Sequence, residues 1–411
     1  MELKLVIFAS CFMKPDVLRI VHAPILTALK QNFNLHWVDA SEADSLQDDD
    51  FCIAFIASGG TEQLYQQSFS KLSRPYLLLA DGQANSFAAA LEISAWIRQT
   101  GQQSEILHGS TESIIARIRQ IGKLHAALCA LQDKRIGVIG TPSSWLIASE
   151  VDFFLAKQRW GVNYVSISLE RLVHLYHEVE EKEIEVLANQ LMGATSGFRE
   201  ATPKDLREAL RIYMALKTLV KEERLDALTL ACFNLIEQTG TTGCLALSLL
   251  NDEGIIAGCE GDLQTVFTML VAKTLTGQDT FMANPSMIDA AANELLISHC
   301  TIGLKQTERF CLRSHFESGK GIAIQGILPT GPITLLRCGG ECLDTYFVSR
   351  GILLENTDNP NMCRTQVRLR LETPVNYFLH HPIGNHHVLI AGDYSDLFHE
   401  FFSLMGCALS Y

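Results

Sequence analysis

Two doubly wound parallel-sheet α/β domains followed by a C-terminal antiparallel β domain, a barrel or a sandwich, is the fold class this sequence predicts. Three observations carry it. Apolar runs of strand length alternate with helix-period stretches through two successive βαβ units. Beyond residue 290 the texture changes to strand-like pieces cut by Gly, Pro and Asn-Pro turns. The chain is also long, at 411 residues, for a single hydrophobic core. The expected boundaries are an N-terminal α/β domain over 1–131, a central α/β domain over 132–290 and a β-rich domain over 291–411.

In the first unit "LKLVIFAS" reads as a strand, "DVLRIVHAPILTALKQN" as a helix, and "LHWVDA" and "FCIAFIASGG" as strands. "RPYLLLAD" is the next strand, "SFAAALEISAWIRQTG" a helix and "SEILHG" a strand, and a long helix from Thr111 to Leu131 leads out. The second unit begins with a strand at Arg135–Ile139, a Gly/Pro/Ser turn and the helix "EVDFFLAKQRWG" closed by Gly161. "VNYVSIS" continues as a strand. The charged stretch from Leu169 to Arg224 reads as two long surface helices, the second capped by Thr202 with Pro203 at its first position. The strand "LDALTLACF", the helix "TGCLALSLLNDEG" and a strand in "GIIAGCEGD" complete the unit. In the last third, "GIAIQGILPTGPITLLRCGGECLDTYFVSRGILLE" and "CRTQVRLRLETP" supply strands before the closing helix "DYSDLFHEFFSLMG".

Composition narrows the function classes. A net charge of −13 without a long basic cluster argues against a nucleic-acid surface, which needs Lys/Arg density to displace counterions. The apolar stretches fall well short of the roughly 20 residues that span a bilayer. Met1 leads into a charged, alternating strand (Glu2, Lys4) rather than a signal-peptide pattern, so a cytoplasmic location is expected. The twelve cysteines are scattered and mostly sit in apolar runs, which fits reduced, small core residues. Cys338 and Cys342 of "CGGEC" have no second Cys or His pair at zinc spacing and read as a hairpin turn.

Several motifs are candidates for chemistry. "GVIGTPSSW" (Gly137–Trp145) and "SGGTE" (Ser58–Glu62) both follow strands at the carboxyl edge of a parallel sheet, where ligand crevices form. Neither is a dinucleotide or P-loop fingerprint. His174 and His177 of "HLYH" fall in an acidic amphipathic helix and read as a solvated face. "HHPIGNHHVLIAGD" packs His380, His381, His386 and His387 before an apolar strand, a loop rich in the commonest metal ligand. In "GCEGD", Asp262 stands where the helix "LQTVFTMLVAKTLTG" needs an N-cap, and Gly277 where it needs a terminator. Glu260 is left without a structural task, at a strand end beside a helix N-terminus, a position suited to a metal-binding or proton-transferring carboxylate.

The segments "GTPSSWLIAS", "LDALTLACF", "NDEGIIAGCEGDLQTVFTMLVAKTLTG" and "GNHHVLIAGD", with "NELLISHC" and "SHFESGKG", resemble the L-fucose isomerase and L-arabinose isomerase superfamily, most of all its short L-fucose isomerase-like members. The resemblance covers about residues 135 to 320 and the C-terminus. It implies a metal-dependent aldose–ketose isomerase acting on a pentose or 6-deoxyhexose through an enediolate, with Mn²⁺ as the divalent metal. Glu260 becomes a metal ligand and proton carrier, His299 and His386 further ligands, and Asn385, His315 and Trp145 sugar contacts. His386 is assigned by the register from Gly392, which sends His387 away from the site. The family's second carboxylate falls at Asn284, which can ligate through oxygen but cannot act as a base. Either Glu260 works with water, or Asp289 or Glu62 substitutes, or the chain is a degenerate sugar-binding homologue without isomerase activity. The resemblance also implies a homo-oligomer, a trimer or hexamer.

Overall fold

The computed structural model describes residues 1–47, 49–72 and 74–411. The chain forms two compact units, residues 1–129 with 400–406 and residues 130–399 with 407–411.

The first unit is a five-stranded parallel sheet of β1 (Glu2–Phe8), β2 (Asn34–Asp39), β3 (Cys52–Ile56), β4 (Tyr76–Leu79) and β5 (Ser104–Leu107), in the order β2-β1-β3-β4-β5. Successive side chains point to opposite faces, and both faces are covered. Leu3, Leu5, Ile53 and Phe55 pack on one face against Leu18, Ile25, Leu29, Ile114 and Ile118. Val6, Phe8, Ala54 and Ile56 pack on the other against Tyr65, Ala89, Ala90, Ile93 and Ile97. The helix expected over "DVLRIVHAPILTALKQN" is two helices, Pro15–Val21 and Ala23–Asn32. His22 leaves helical geometry (φ −102°, ψ 16°), and Pro24, which has no N–H to donate, opens the second helix.

The second unit holds the strands β6 (Arg135–Ile139), β7 (Asn163–Ile167), β8 (Phe198–Arg199), β9 (Ala227–Leu230) and β10 (Ile256–Cys259). It continues with β11 (Thr280–Asp289), β12 (Glu294–His299), β13 (Arg309–Arg313), β14 (Ala323–Ile327) and β15 (Gly331–Gly339). Four more follow: β16 (Thr345–Asn356), β17 (Thr365–Leu371), β18 (His387–Ala391) and β19 (Ala408–Leu409). A parallel sheet runs β10-β9-β6-β7. An antiparallel ring runs β15-β18-β11-β12-β17-β16 and closes through β15–β16 pairing, so the β-rich part is a barrel rather than a sandwich. Cys338 and Cys342 lie at its β15–β16 hairpin, where Gly339 pairs with Thr345.

Helix boundaries follow local chemistry, with two corrections. The stretch from Leu169 to Arg224 makes three helices, Leu169–Glu178, Glu181–Ala194 and Pro203–Glu223, because Glu180 and Glu183 form a capping box that restarts the chain. Thr202 caps the last as expected, reciprocated by Asp205. The Gly-rich turn after β6 does not feed directly into a helix. The helix starts only at Phe153, capped by Asp152, so a loop of residues 140–152 separates it from β6. Among the described residues no helix is long and apolar enough to cross a membrane.

The helix Leu263–Thr276 explains the placement of the candidate site. It is buried without interruption from Leu263 to Ala272 because it packs on β9 and β10 on one side and on β15 and β18 on the other. Its N-terminus therefore brings the end of β10 to the barrel.

Candidate metal centre

Glu260 follows β10 in a tight turn. It has φ 61° and Gly261 φ 73°, a left-handed pair that turns the chain into the helix. The Ser143 N–H donates to the Glu260 carbonyl at 2.9 Å. A Cβ on Gly261 would stand 2.6 Å from Pro142 Cα, so only glycine lets the 140–149 loop close over the turn.

Three side chains converge here from distant parts of the sequence. Glu260 Oε1 lies 4.0 Å from His299 Nε2 and 3.5 Å from His386 Nε2. All three ligand atoms fall within 4.8 Å of one another. Ligands about 2.0–2.2 Å from an ion can be separated by up to roughly twice that, and the two separations from Glu260 Oε1, 4.0 and 3.5 Å, meet this limit. His386 Nε2 is buried and makes no hydrogen bond, facing Glu260 Oε1 at 3.5 Å, so a ligand can take it without breaking one. The other ring nitrogens are occupied: His299 Nδ1 meets Thr301 Oγ1 at 2.8 Å, and His386 Nδ1 meets Asp262 Oδ2 at 2.9 Å. Trp145 Nε1–H donates to Glu260 Oε2 at 2.7 Å, leaving Oε1 toward the histidines.

Asp262 does cap the helix, accepting from the Thr265 N–H at 2.8 Å. Its second oxygen orients His386, a carboxylate–histidine arrangement of the kind that aims metal ligands. The same oxygen lies 3.5 Å from Arg337 Nη1. The fully buried Arg337 also donates to the His386 carbonyl (2.5 Å), Thr265 Oγ1 (2.8 Å), Ser149 Oγ (3.0 Å) and Gln264 Oε1 (3.0 Å). One guanidinium thus ties the helix N-terminus, the His386 segment and the loop after β6 together. Sequence reading missed both Arg337 and the second task of Asp262. The available signal was a lone arginine in the apolar strand "ITLLRCGG".

The electrostatics follow from burial and charge. Burial opposes ionisation of Glu260, but His386, His299 and the Trp145 N–H overcome it and hold the carboxyl at about 2. Burial also opposes ionisation of Asp262, and Arg337 and His386 hold it well below the usual carboxylate range. His299 is pushed down to about 4, by burial first and by the neighbouring His386. Burial works against the His386 cation, yet Asp262 and Glu260 raise it to about 9. Two carboxylates and one imidazolium are thus set against a neutral imidazole.

The remaining candidates lie around this centre. His315 packs edge-on against Phe233 (5.7 Å), which packs edge-on against Trp145 (4.8 Å), an aromatic chain leading to Glu260. Asn385 is exposed immediately before His386. Asn284 is half-buried on β11 opposite Ser298, the residue before His299. His387 leaves the centre, meeting the Tyr377 hydroxyl at 3.2 Å and packing on Phe347 and Phe378. Asp289 accepts from the Ala291 and Ala292 N–H groups in the β11–β12 turn. His380 and His381 are exposed, and His174 pairs with Glu178 at 3.2 Å on a solvated face.

Residues 147–278 match the L-arabinose isomerase central domain family. Curated relatives include the sulfoquinovose isomerase of Clostridium sp. (strain MSTE9), 27% identical over 227 residues, covering 53% of this chain and 49% of that one. The sulfoquinovose isomerase of Alkalicoccus urumqiensis is 22% identical over 269 residues, covering 62% and 60%. That of Priestia megaterium (strain ATCC 12872 / QMB1551) is 23% identical over 192 residues, covering 45% and 42%. The chain spans about half the length of the curated relatives it matches.

Proposed function

We propose that the chain is a metal-dependent aldose–ketose isomerase of the L-arabinose/L-fucose isomerase-like superfamily, a reading supported by its match to the L-arabinose isomerase central domain and its similarity to sulfoquinovose isomerases. The observation that supports this reading is the clustering of Glu260, His299 and His386, whose candidate ligand atoms lie within 4.8 Å of one another. The donors are one carboxylate oxygen and two imidazole nitrogens, and the family resemblance offers the Asn284 amide oxygen as a fourth. That N/O set suits Mn²⁺ among divalent ions. A bound divalent ion supplies Lewis-acid polarisation of two adjacent sugar oxygens.

The chain's own residues supply the rest. Glu260, ionised and steered by Trp145, takes the proton from C2 of the aldose and returns it to C1 of the enediolate, while the proton on O2 passes to O1, so that C2 becomes the carbonyl and O1 the hydroxyl. His386, fixed by Asp262, and His299, fixed by Thr301, hold the ligand geometry. Trp145 and His315 form an aromatic wall for the sugar, and Asn385 reaches a hydroxyl. The substrate is a pentose or a 6-deoxyhexose, and the relatives' name adds a 6-sulfonated 6-deoxyhexose to the sugars to be tried. Superfamily membership also carries the proposals of a cytoplasmic homo-oligomer, trimer or hexamer, which light scattering measures directly.

The test is ketose formation from a panel of aldoses with Mn²⁺, for the wild type and Glu260→Gln. Turnover that falls on the order of 10²–10⁴-fold in the variant is the expected outcome for a lost proton carrier. An unchanged rate would remove Glu260 from the chemistry. Asn284 supports a second reading, a sugar-binding homologue without activity, because an amide cannot shuttle a proton. An inert wild type that gains turnover and tighter Mn²⁺ binding through Asn284→Asp would establish that reading instead.

A further inference from the structure

A cavity of about 540 Å³ lies beside the Glu260 centre rather than at it, above the carboxyl ends of β6 and β7. Its size falls within the roughly 300–1,000 Å³ of small-molecule pockets. Its position has a topological reason. The strand order reverses at β6, with β7 added on one side and the later β9 on the other, the place where a crevice opens above the carboxyl ends of a parallel sheet.

The lining defines what the crevice can hold. Thr141, Ser166, Asn234, Gln238 and Glu170 present hydroxyls, amides and one carboxylate, and none of them spends its side chain on a hydrogen bond or ion pair among the described residues. Phe153 supplies an aromatic wall. Its ring is held by stacking on Tyr164 (4.9 Å, 14°), and the Tyr164 hydroxyl donates to the Leu263 carbonyl at 3.0 Å. No lysine or arginine lines the space. A phosphate or nucleotide would therefore find no counter-charge and would meet Glu170. A polyhydroxylated, uncharged molecule finds donors and acceptors for its hydroxyls and a flat ring for its C–H face.

The crevice also touches the metal centre's support. Thr141 and Pro142 line it, while Pro142 abuts Gly261 and Ser143 holds the Glu260 carbonyl. We propose that this crevice is a second carbohydrate site, for an uncharged monosaccharide or polyol, distinct from the Glu260 centre and joined to it by the segment 140–143. The proposal does not depend on the isomerase reading.

Saturation-transfer NMR on the metal-free protein tests it, with L-arabinose, L-fucose and D-glucose as neutral probes and D-glucose 6-phosphate as the charged one. Transfer to a neutral sugar without metal, and little to the phosphate, is expected. Asn234→Ala with Gln238→Ala, and separately the crevice-filling Ser166→Trp, should each cut the signal at least fivefold. Mn²⁺ affinity, followed by electron paramagnetic resonance, should stay within twofold, which shows that the variants are folded. Transfer indifferent to both variants, preference for the phosphate, or no transfer to any neutral sugar overturns the proposal. If the wild type binds no Mn²⁺, the metal reading falls, the variants' folding is checked by thermal melting, and the NMR result still decides the crevice.

Discussion

His386 shows how a single residue's surroundings set its chemistry. Without metal it is a buried imidazolium between Glu260 and Asp262, raised to about 9. A raised folded-state value contributes stability that is complete below the unfolded value of about 6.5 and lost as pH rises through about 9. The metal-free wild type should therefore lose thermal stability across that window relative to His386→Asn, and parallel pH profiles of the two melting temperatures would refute the assignment. Asp262 can be separated from its cap role, since asparagine caps helices about as well. Asp262→Asn should weaken Mn²⁺ binding by about 10–100-fold through the misdirected His386. It should also destabilise the fold by about 3–5 kcal/mol, because Arg337 is left buried without its counter-charge. Calorimetric titration and denaturant unfolding read the two effects separately. In the sequence, Glu260 was recognisable because the cap explained Asp262 and left Glu260 over. Arg337 left only a weak signal, a lone arginine in an apolar strand, which does not say what it would meet.

The turn Glu260–Asp262 is the element that converts a strand end into a site. Positive φ at two successive residues, under the 140–149 loop, demands glycine at 261. Gly261→Ala should cost about 1–3 kcal/mol from backbone strain, plus whatever Pro142 must yield, and should lower Mn²⁺ affinity because Glu260 moves with the turn. A variant that melts and binds like the wild type would show that the loop gives way freely. Elements were legible where local chemistry decided them, as with Thr202 and Asp205 capping one helix and Gly277 ending another. The misreadings came from breaks that periodicity does not carry. Pro24 and the Glu180–Glu183 box interrupt amphipathic patterns that continue across them.

At the scale of the whole molecule, the three converging side chains Glu260, His299 and His386 all belong to the unit of residues 130–399 and 407–411. Mn²⁺ at about 100 times its dissociation constant should stabilise that unit by roughly 2.7 kcal/mol. In scanning calorimetry one transition should move with metal and one should stay, whereas equal movement of both would mean that the units unfold together. The sequence alone determined the parallel units and the β-rich third, because strand and helix periods are local signals, and it singled out Glu260 because the cap accounted for Asp262; His299 and His386 entered as candidates through the family resemblance. Tertiary structure alone decided that the β-rich part closes as a barrel, since closure rests on β15 pairing with both β16 and β18. It also decided that Asp262 serves two masters and that Arg337 anchors them. Residues 260, 299, 337 and 386 meet only because one buried helix is pressed between the parallel sheet and the barrel, and a contact made by packing across such separations leaves no periodic trace along the chain.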